Sequence, residues 1–425
     1  MNILLIGHAC GPGMGSEPGY TWNWAHHLSR QHQVWVIAHP QHRSKVEAWL
    51  LENPNPNIRF VWVNVKSVLD PWKPERGEQG IGIHYLLWLK TAYATAQKLC
   101  KEIAVDVAHH VSWGTLRAAP PLWRLPVPSV WGPIGGGQCT PFAFLRYFGW
   151  RAGQEVLRTV SVKTRYFSPG LRKAALSSAL IFATNKETQG MLKRIARAKV
   201  RLLLDCGLPS VWVSPDPPPA DRSSREFTLL WAGRLEHRKA LTLALQALSR
   251  IRHIGARLVI AGTGALRPKL EAIASDLGVA SRVRFLGSVP HGSMQALFQS
   301  ADAFLFTSLR DSFGSVVLEA MAHGLPIVTL DHQGVGTFVP DDAGIKVPVT
   351  YPRETVQSLA SAIEKLVESP TLLRSMQLAG WSFAKAQTWD LRAQRMTKIY
   401  EEVTSGRRER PMENESLATP AHVNF

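Results

Sequence analysis

Short apolar runs recur along the chain, separated by stretches with helical spacing. Ile3-Leu4-Leu5-Ile6-Gly7 reads as a buried strand, and the turn-rich run Cys10-Gly11-Pro12-Gly13-Met14-Gly15-Ser16-Glu17-Pro18-Gly19 leads into a helix near Thr21 to Ser29. Further strands are predicted at Val34 to Ala38 and Ile58 to Val63, with a helix around Ser44 to Leu51 between them. Tyr85 to Glu102 has an amphipathic helical pattern and precedes a strand at Val105 to His110; another strand follows at Ser178 to Thr184. Strand and helix alternating at this spacing imply parallel strands joined by crossovers, the α/β doubly wound sheet.

The pattern dissolves in Ser214-Pro215-Asp216-Pro217-Pro218-Pro219-Ala220-Asp221-Arg222-Ser223-Ser224, then begins again with strands at Thr228 to Ala232, Arg257 to Ala261, Val283 to Leu286, Ala303 to Phe306 and Pro326 to Leu330. The expected organisation is a first parallel-sheet domain over residues 1–210, a proline-rich linker over 211–225 and a second such domain over 226–388. A closing helix over 389–404 and a disordered polar tail over 405–425 follow.

Composition narrows the class. The chain has 425 residues, 45% hydrophobic and 19% charged, which is too long for one ordinary core and too apolar for disorder. A formal net charge of +17 asks for an anionic partner: a nucleotide, a nucleic acid and an acidic membrane surface all qualify. The four cysteines, Cys10, Cys100, Cys139 and Cys206, stand far apart and suggest neither a disulfide framework nor a thiolate metal site. A cytoplasmic location fits that usage; the first apolar run is too short and lacks the basic flank of a signal peptide, and no stretch approaches the roughly 18 apolar residues of a membrane span.

Two loops carry candidate chemistry. Gly233-Arg234-Leu235-Glu236-His237-Arg238-Lys239 follows a strand, where ligands of open sheets bind; Arg234 and Lys239 there either neutralise a diphosphate or form a solvated helix start. The run from Thr307 to Pro326 holds two carboxylates, Asp311 and Glu319. On one helix eight residues advance about 12 Å, so Asp311 is placed in the loop before the helix, as a sugar contact or as an N-cap. Gly314 permits close backbone approach, the N–H groups of Phe313, Gly314 and Ser315 suit phosphate, and Glu319 suits a ribose diol.

These residues, with Ala261-Gly262-Thr263-Gly264, Phe285-Leu286-Gly287 and Ala320-Met321-Ala322-His323-Gly324-Leu325-Pro326, resemble the donor half of family 4 retaining glycosyltransferases of bacterial polysaccharide and glycolipid synthesis. Gly15-Ser16-Glu17-Pro18-Gly19, His109-His110 and Trp131-Gly132-Pro133-Ile134-Gly135-Gly136-Gly137 are similar to segments of the first domain of bacterial members. The resemblance implies the GT-B architecture, two Rossmann-like domains facing each other across a cleft. It implies that the Glu-x7-Glu motif maps onto Asp311 and Glu319, with Glu319 on the ribose and Asp311 reaching hydroxyls of the transferred sugar. Asp in place of Glu withdraws that carboxylate by about 1.5 Å. By the same resemblance Arg234 and Lys239, with Gly15, bind the diphosphate, and Val289 and His291 lie near the base. A histidine after the fourth strand faces the sugar; His110 and His109 are both candidates, with His110 favoured, and His8 is either a further one or a turn residue.

The expected reaction is retaining transfer of a hexose from a UDP- or GDP-linked sugar to a glycan or a polyprenyl-diphosphate-linked acceptor. No cofactor is expected; no Asp-x-Asp pair occurs, so no metal is expected at the diphosphate either. Between Thr140 and Lys173, Arg146, Arg151, Arg158, Lys163, Arg165, Arg172 and Lys173 mix with Phe142, Phe144, Tyr147, Phe148 and Trp150. That mixture suits peripheral contact with an anionic inner membrane face, or is a helix pair with a solvated basic face. Two other readings stay open. A silent sugar-nucleotide-binding relative is kept alive by Asp311; a nucleic-acid-binding protein is suggested by the charge and 15 tryptophans, against which no stacking or groove-reading motif appears.

Overall fold

A computed structural model describes residues 1–66, 68, 70–73, 77, 79–219, 226–251 and 255–405. The tail beyond 405 and part of the expected linker lie outside the described residues. The chain forms two compact α/β units: one of residues 1–137, 161–207 and 389–405, the other of 138–160 and 208–388.

The first unit holds seven parallel strands: β1 (Asn2–Gly7), β2 (Gln33–Ala38), β3 (Ile58–Trp62), β4 (Val107–Ser112), β5 (Ser129–Ile134), β6 (Leu180–Ala183) and β7 (Val200–Leu202). Their order is β3-β2-β1-β4-β5-β6-β7. All residues of β4, β5 and β6 are buried. Helices cover both faces of a parallel sheet, which is why β6 reads as an apolar run, whereas β4 carries His109, His110 and Ser112 and β5 carries Gly132 and Pro133. One face packs Tyr85, Trp88 and Tyr93 of the helix Ile81–Glu102; the other packs Trp24 of Ser16–Leu28 with Trp389 and Tyr400 of Trp389–Thr404.

The second unit repeats the plan with β8 (Phe227–Ala232), β9 (Ala256–Ala261), β10 (Val283–Gly287), β11 (Ala303–Phe306), β12 (Ile327–Leu330) and β13 (Gly344–Val347), ordered β10-β9-β8-β11-β12-β13 and all parallel. The α/β doubly wound class expected from the periodicity is therefore present in both units.

Several placements differ from those expected. β4 runs on through the buried Val111 and Ser112, so His109 and His110 lie within the sheet, in register with Leu5 and Ile6 of β1, rather than at its rim. The short strands β7 and β13 carry no apolar run and were not predicted. The basic aromatic stretch divides: residues 138–160, placed by sequence in the first domain, join the second unit, where Phe144 and Phe148 enter the core. Burying a phenylalanine side chain contributes about 1.5–3 kcal/mol, enough for two of them to hold this segment there. The proline-rich segment also belongs to the second unit; Arg374, Trp381 and Lys385 donate to the carbonyls of Pro218, Ser214 and Pro215.

Candidate functional site

The loops after β8, β9 and β11 build one constellation in the second unit. Gly233 donates to the Ala261 carbonyl (2.9 Å) and Leu235 to the Thr263 carbonyl (2.9 Å), which zips the first two loops together. The approach is so close that a Cβ on Gly262 would stand 1.9 Å from the Gly233 oxygen. A single turn, His237–Lys239, then turns through Ala240 in the left-handed region (φ 46°) into the helix Leu241–Arg250.

This turn aims two cations at the loop after β11. Lys239 Nζ is ion-paired with Asp311 Oδ2, and Arg238 Nη1 lies 3.3 Å from the same oxygen. The loops are sewn together by Leu309 N–H donating to the Arg238 carbonyl (2.8 Å) and Thr307 Oγ1 donating to the Lys239 carbonyl (3.0 Å). Burial alone would raise the Asp311 carboxyl; the charges of Lys239 and Arg238 outweigh it and hold the group below its ordinary value. Arg234, by contrast, is largely exposed and pairs with Glu236 (3.1 Å). Arg238, absent from the expected set, is thus the arginine in contact with Asp311.

Gly314, at φ 99°, turns the loop into the helix Ser315–Ala322, and no side chain caps its first turn. Phe313 is buried, its ring edge-on to Phe338 with centroids 6.1 Å apart. Glu319 lies on that helix, mostly buried, with Oε1 3.9 Å from His291 Nε2; the carboxylate raises the imidazole above its ordinary pKa. Trp212 stacks on His291 with ring centroids 4.4 Å apart. Val289, two residues before His291 and half-buried, completes the predicted base-side group.

Two residues missed by sequence hold this loop. Gln333 adopts φ 56°, rare for a non-glycine residue, while its Oε1 accepts from Asp311 N–H (2.7 Å) and its Nε2 donates to the Leu309 carbonyl (2.9 Å). Glu155, on the segment that joins this unit from residues 138–160, accepts from Thr140 Oγ1 (2.8 Å) and pairs with Arg158 (3.0 Å) and Arg310 (3.1 Å). Local spacing marks neither as part of this site; the tertiary fold brings Gln333 to Asp311 and Glu155 to Arg310.

The remaining predicted residues lie in the first unit. Gly15 precedes the helix Ser16–Leu28 in extended conformation, with open space where a Cβ would stand. His109 and His110 point to opposite faces of the sheet, as neighbours on a strand must. His109 Nε2 donates to the Gly132 carbonyl (2.7 Å) and its Nδ1 accepts from Tyr400 Oη (2.6 Å). His110 lies 3.1 Å from Tyr85 Oη through Nε2 and 3.2 Å from Tyr93 Oη through Nδ1. Both rings are buried, and both nitrogens of each are hydrogen-bonded inside the unit. Burial depresses their pKa values to about 4 and about 3, so both are neutral imidazoles.

Against known proteins, the constellation falls in a recognised domain. Residues 216–380 match the family Glycosyl transferases group 1. The matched span contains Arg234, Lys239, Val289, His291, Asp311 and Glu319. An uncharacterized glycosyltransferase of Methanocaldococcus jannaschii is 36% identical over 145 residues, 33% of this chain and 36% of that protein. The chain aligns with less than half the length of the first curated relatives it matches. Sucrose-phosphate synthase from Thermosynechococcus elongatus superposes with TM-score 0.64 at 18% identity, covering 96% of this chain and all of that one. HepE of Anabaena in complex with UDP does so with TM-score 0.60 at 17% identity, covering 95% and 100%. The fold is α/β of the GT-B type. Among the described residues, no helix is long and apolar enough to cross a membrane.

Proposed function

We propose that the chain is a retaining glycosyltransferase that moves a hexose from a nucleotide diphosphate sugar to a glycan or lipid-linked glycan. The observation that carries this reading is the Lys239–Arg238–Asp311 ion cluster beside the uncapped start of the Ser315–Ala322 helix, with Glu319 on that helix. Transfer requires stabilising the charge that develops on a departing diphosphate. Lys239, Arg238 and the helix N–H groups supply fixed positive charge for it, and no metal ion is needed in this account. Glu319 accepts the ribose hydroxyls, and the Trp212–His291 stack offers an aromatic face for the base. Binding of UDP by the HepE relative favours UDP as the nucleotide. The exposed Phe142, Trp150 and Leu157, with Arg146 and Arg151 nearby in sequence, support contact with an anionic, lipid-linked acceptor surface.

A second reading rests on one contact. Asp311 Oδ2 is shared by Lys239 and Arg238, and a carboxylate so engaged orients cations rather than reaching a sugar hydroxyl; on this reading the chain binds sugar nucleotide with weak transfer. Calorimetry against UDP, GDP, ADP and their sugar conjugates, followed by a transfer assay, separates the two. Micromolar binding of one sugar nucleotide, weakened about 10–100-fold in Lys239→Ala (about 1.4–2.7 kcal/mol), is expected. Full binding by Lys239→Ala, or no binding by the unaltered chain, overturns the site; binding without turnover selects the second reading.

A further inference from the structure

Three histidines distant in sequence converge in the first unit, and one of them is His8, the further candidate of the sequence analysis. His8 stands one residue past β1, His39 one residue past β2, and His84 in the first turn of Ile81–Glu102. All three are buried, and the ring nitrogens they can offer lie within 4.8 Å of one another. The first two follow the carboxyl ends of adjacent parallel strands, where open sheets place their ligands. The His39 N–H donates to the His8 carbonyl (2.9 Å), so the two loops are fixed relative to each other.

The hydrogen bonds dictate which nitrogens carry lone pairs. Both oxygens of Asp70 lie 2.8 Å from His84 Nδ1, so that nitrogen bears the proton and Nε2 is left as a lone pair directed inward. It faces His8 Nε2 at 2.9 Å. If His8 donates there, its own Nδ1 becomes a buried acceptor, and that atom has no hydrogen-bond partner among the described residues. His39 Nε2 donates to Asn64 Oδ1 (3.1 Å), so its lone pair is on Nδ1, where it accepts a long hydrogen bond from the Gln41 N–H (3.3 Å) that a bound ion would replace. The rings of Trp72, Tyr85, Trp88 and Trp113 pack around His8 with centroids 5.0–6.4 Å away, which screens the cluster from water.

We propose that His8, His39 and His84 form a tris-imidazole site for one divalent transition-metal ion of the zinc class, with Asp70 as the outer partner that orients His84. Neutral imidazoles without carboxylate ligands select zinc, cobalt, nickel or copper over magnesium, calcium or manganese. Metal–nitrogen bonds of about 2.0–2.1 Å in tetrahedral geometry put neighbouring nitrogens about 3.4 Å apart, so the His8–His84 separation widens by roughly half an ångström on loading. Asp70, His84 and the ion then make the carboxylate–histidine–metal arrangement that raises ligand basicity. The ion joins the ends of β1 and β2 to the start of the Ile81–Glu102 helix. Its test does not read nucleotide binding, so it stands or falls apart from the proposed transfer.

The experiment uses the full chain without a histidine tag. Elemental analysis after dialysis against zinc is expected to find about one ion per chain, and cobalt loading to give the visible bands of a tetrahedral nitrogen site. His39→Gln and His84→Gln should each abolish uptake, and Asp70→Asn should weaken it about 10–100-fold. X-ray absorption of the zinc-loaded unaltered chain, which counts imidazole ligands, should report three; this readout holds even where a variant fails to fold. Failure of the folded chain to take up zinc or cobalt, uptake undiminished in both Gln variants, or fewer than three imidazoles on the ion overturns the proposal.

Discussion

His109 and Tyr400, 291 residues apart in sequence, are joined by a buried hydrogen bond of 2.6 Å. Because His109 Nε2 must donate to the Gly132 carbonyl, Nδ1 is an acceptor and the tyrosine hydroxyl is its donor. Tyr400→Phe keeps the ring and strands that acceptor in the core. A loss of about 1–3 kcal/mol is expected in urea unfolding followed by a first-unit probe. A loss below about 0.5 kcal/mol would show that the hydroxyl is not the partner.

Acid should destabilise the first unit. The pKa values of His109 and His110, lowered chiefly by burial, are about 4 and about 3, below the unfolded value of 6.5. The unfolded chain therefore binds more protons, so this contribution is complete above pH 6.5 and is lost as pH falls toward 4 and 3. Each group adds about 1.4 kcal/mol per pH unit to the slope. Denaturant midpoints taken between pH 7.5 and 4.5 test this, and a midpoint that does not fall below pH 6.5 contradicts it.

Gln333 should behave unlike an ordinary buried glutamine. Gln333→Ala keeps the unfavourable φ of 56° and removes the hydrogen bonds to Asp311 and Leu309. Gln333→Gly removes the same bonds but relieves the backbone. Glycine should therefore be the milder substitution, by about 0.5–1 kcal/mol in thermal or chemical unfolding. Alanine equal to or better than glycine would refute the account.

Asp311→Asn separates cation positioning from charge competition. The carboxylate occupies Lys239 and Arg238 in the unliganded site, so UDP binding should stay within about threefold while sugar transfer falls about 100-fold. Calorimetry and initial rates on one preparation check both halves. Binding and transfer that fall together would assign Asp311 to ground-state nucleotide affinity instead.

Much of this was legible beforehand for physical reasons that also explain what was not. Buried parallel strands such as β1 and β11 leave continuous apolar runs, and the helix Ile81–Glu102 leaves a periodic stripe. β7, with Arg201 at its centre, and β13, with Gly344 and Lys346, are short edge strands and leave neither. Lys239, Asp311 and Glu319 announce themselves because the glycines around them constrain spacing. Arg238, Gln333 and Glu155 do not, since their partners are set by how the loops cross. The three clustered histidines are separated by 31 and 45 positions, and no local pattern joins them.

The division of the chain also has a consequence for its synthesis. The first unit begins at residue 1 yet includes the helix Trp389–Thr404, which brings Tyr400 to His109 and Trp389 against Trp24. A chain leaving the ribosome exposes residues in order, so every described residue of the second unit has emerged before that helix has. The unit encoded later is thus the first able to close. The earlier one waits with the apolar face around Trp24 uncovered, and a premature stop near residue 388 would leave the second unit finished and the first permanently open.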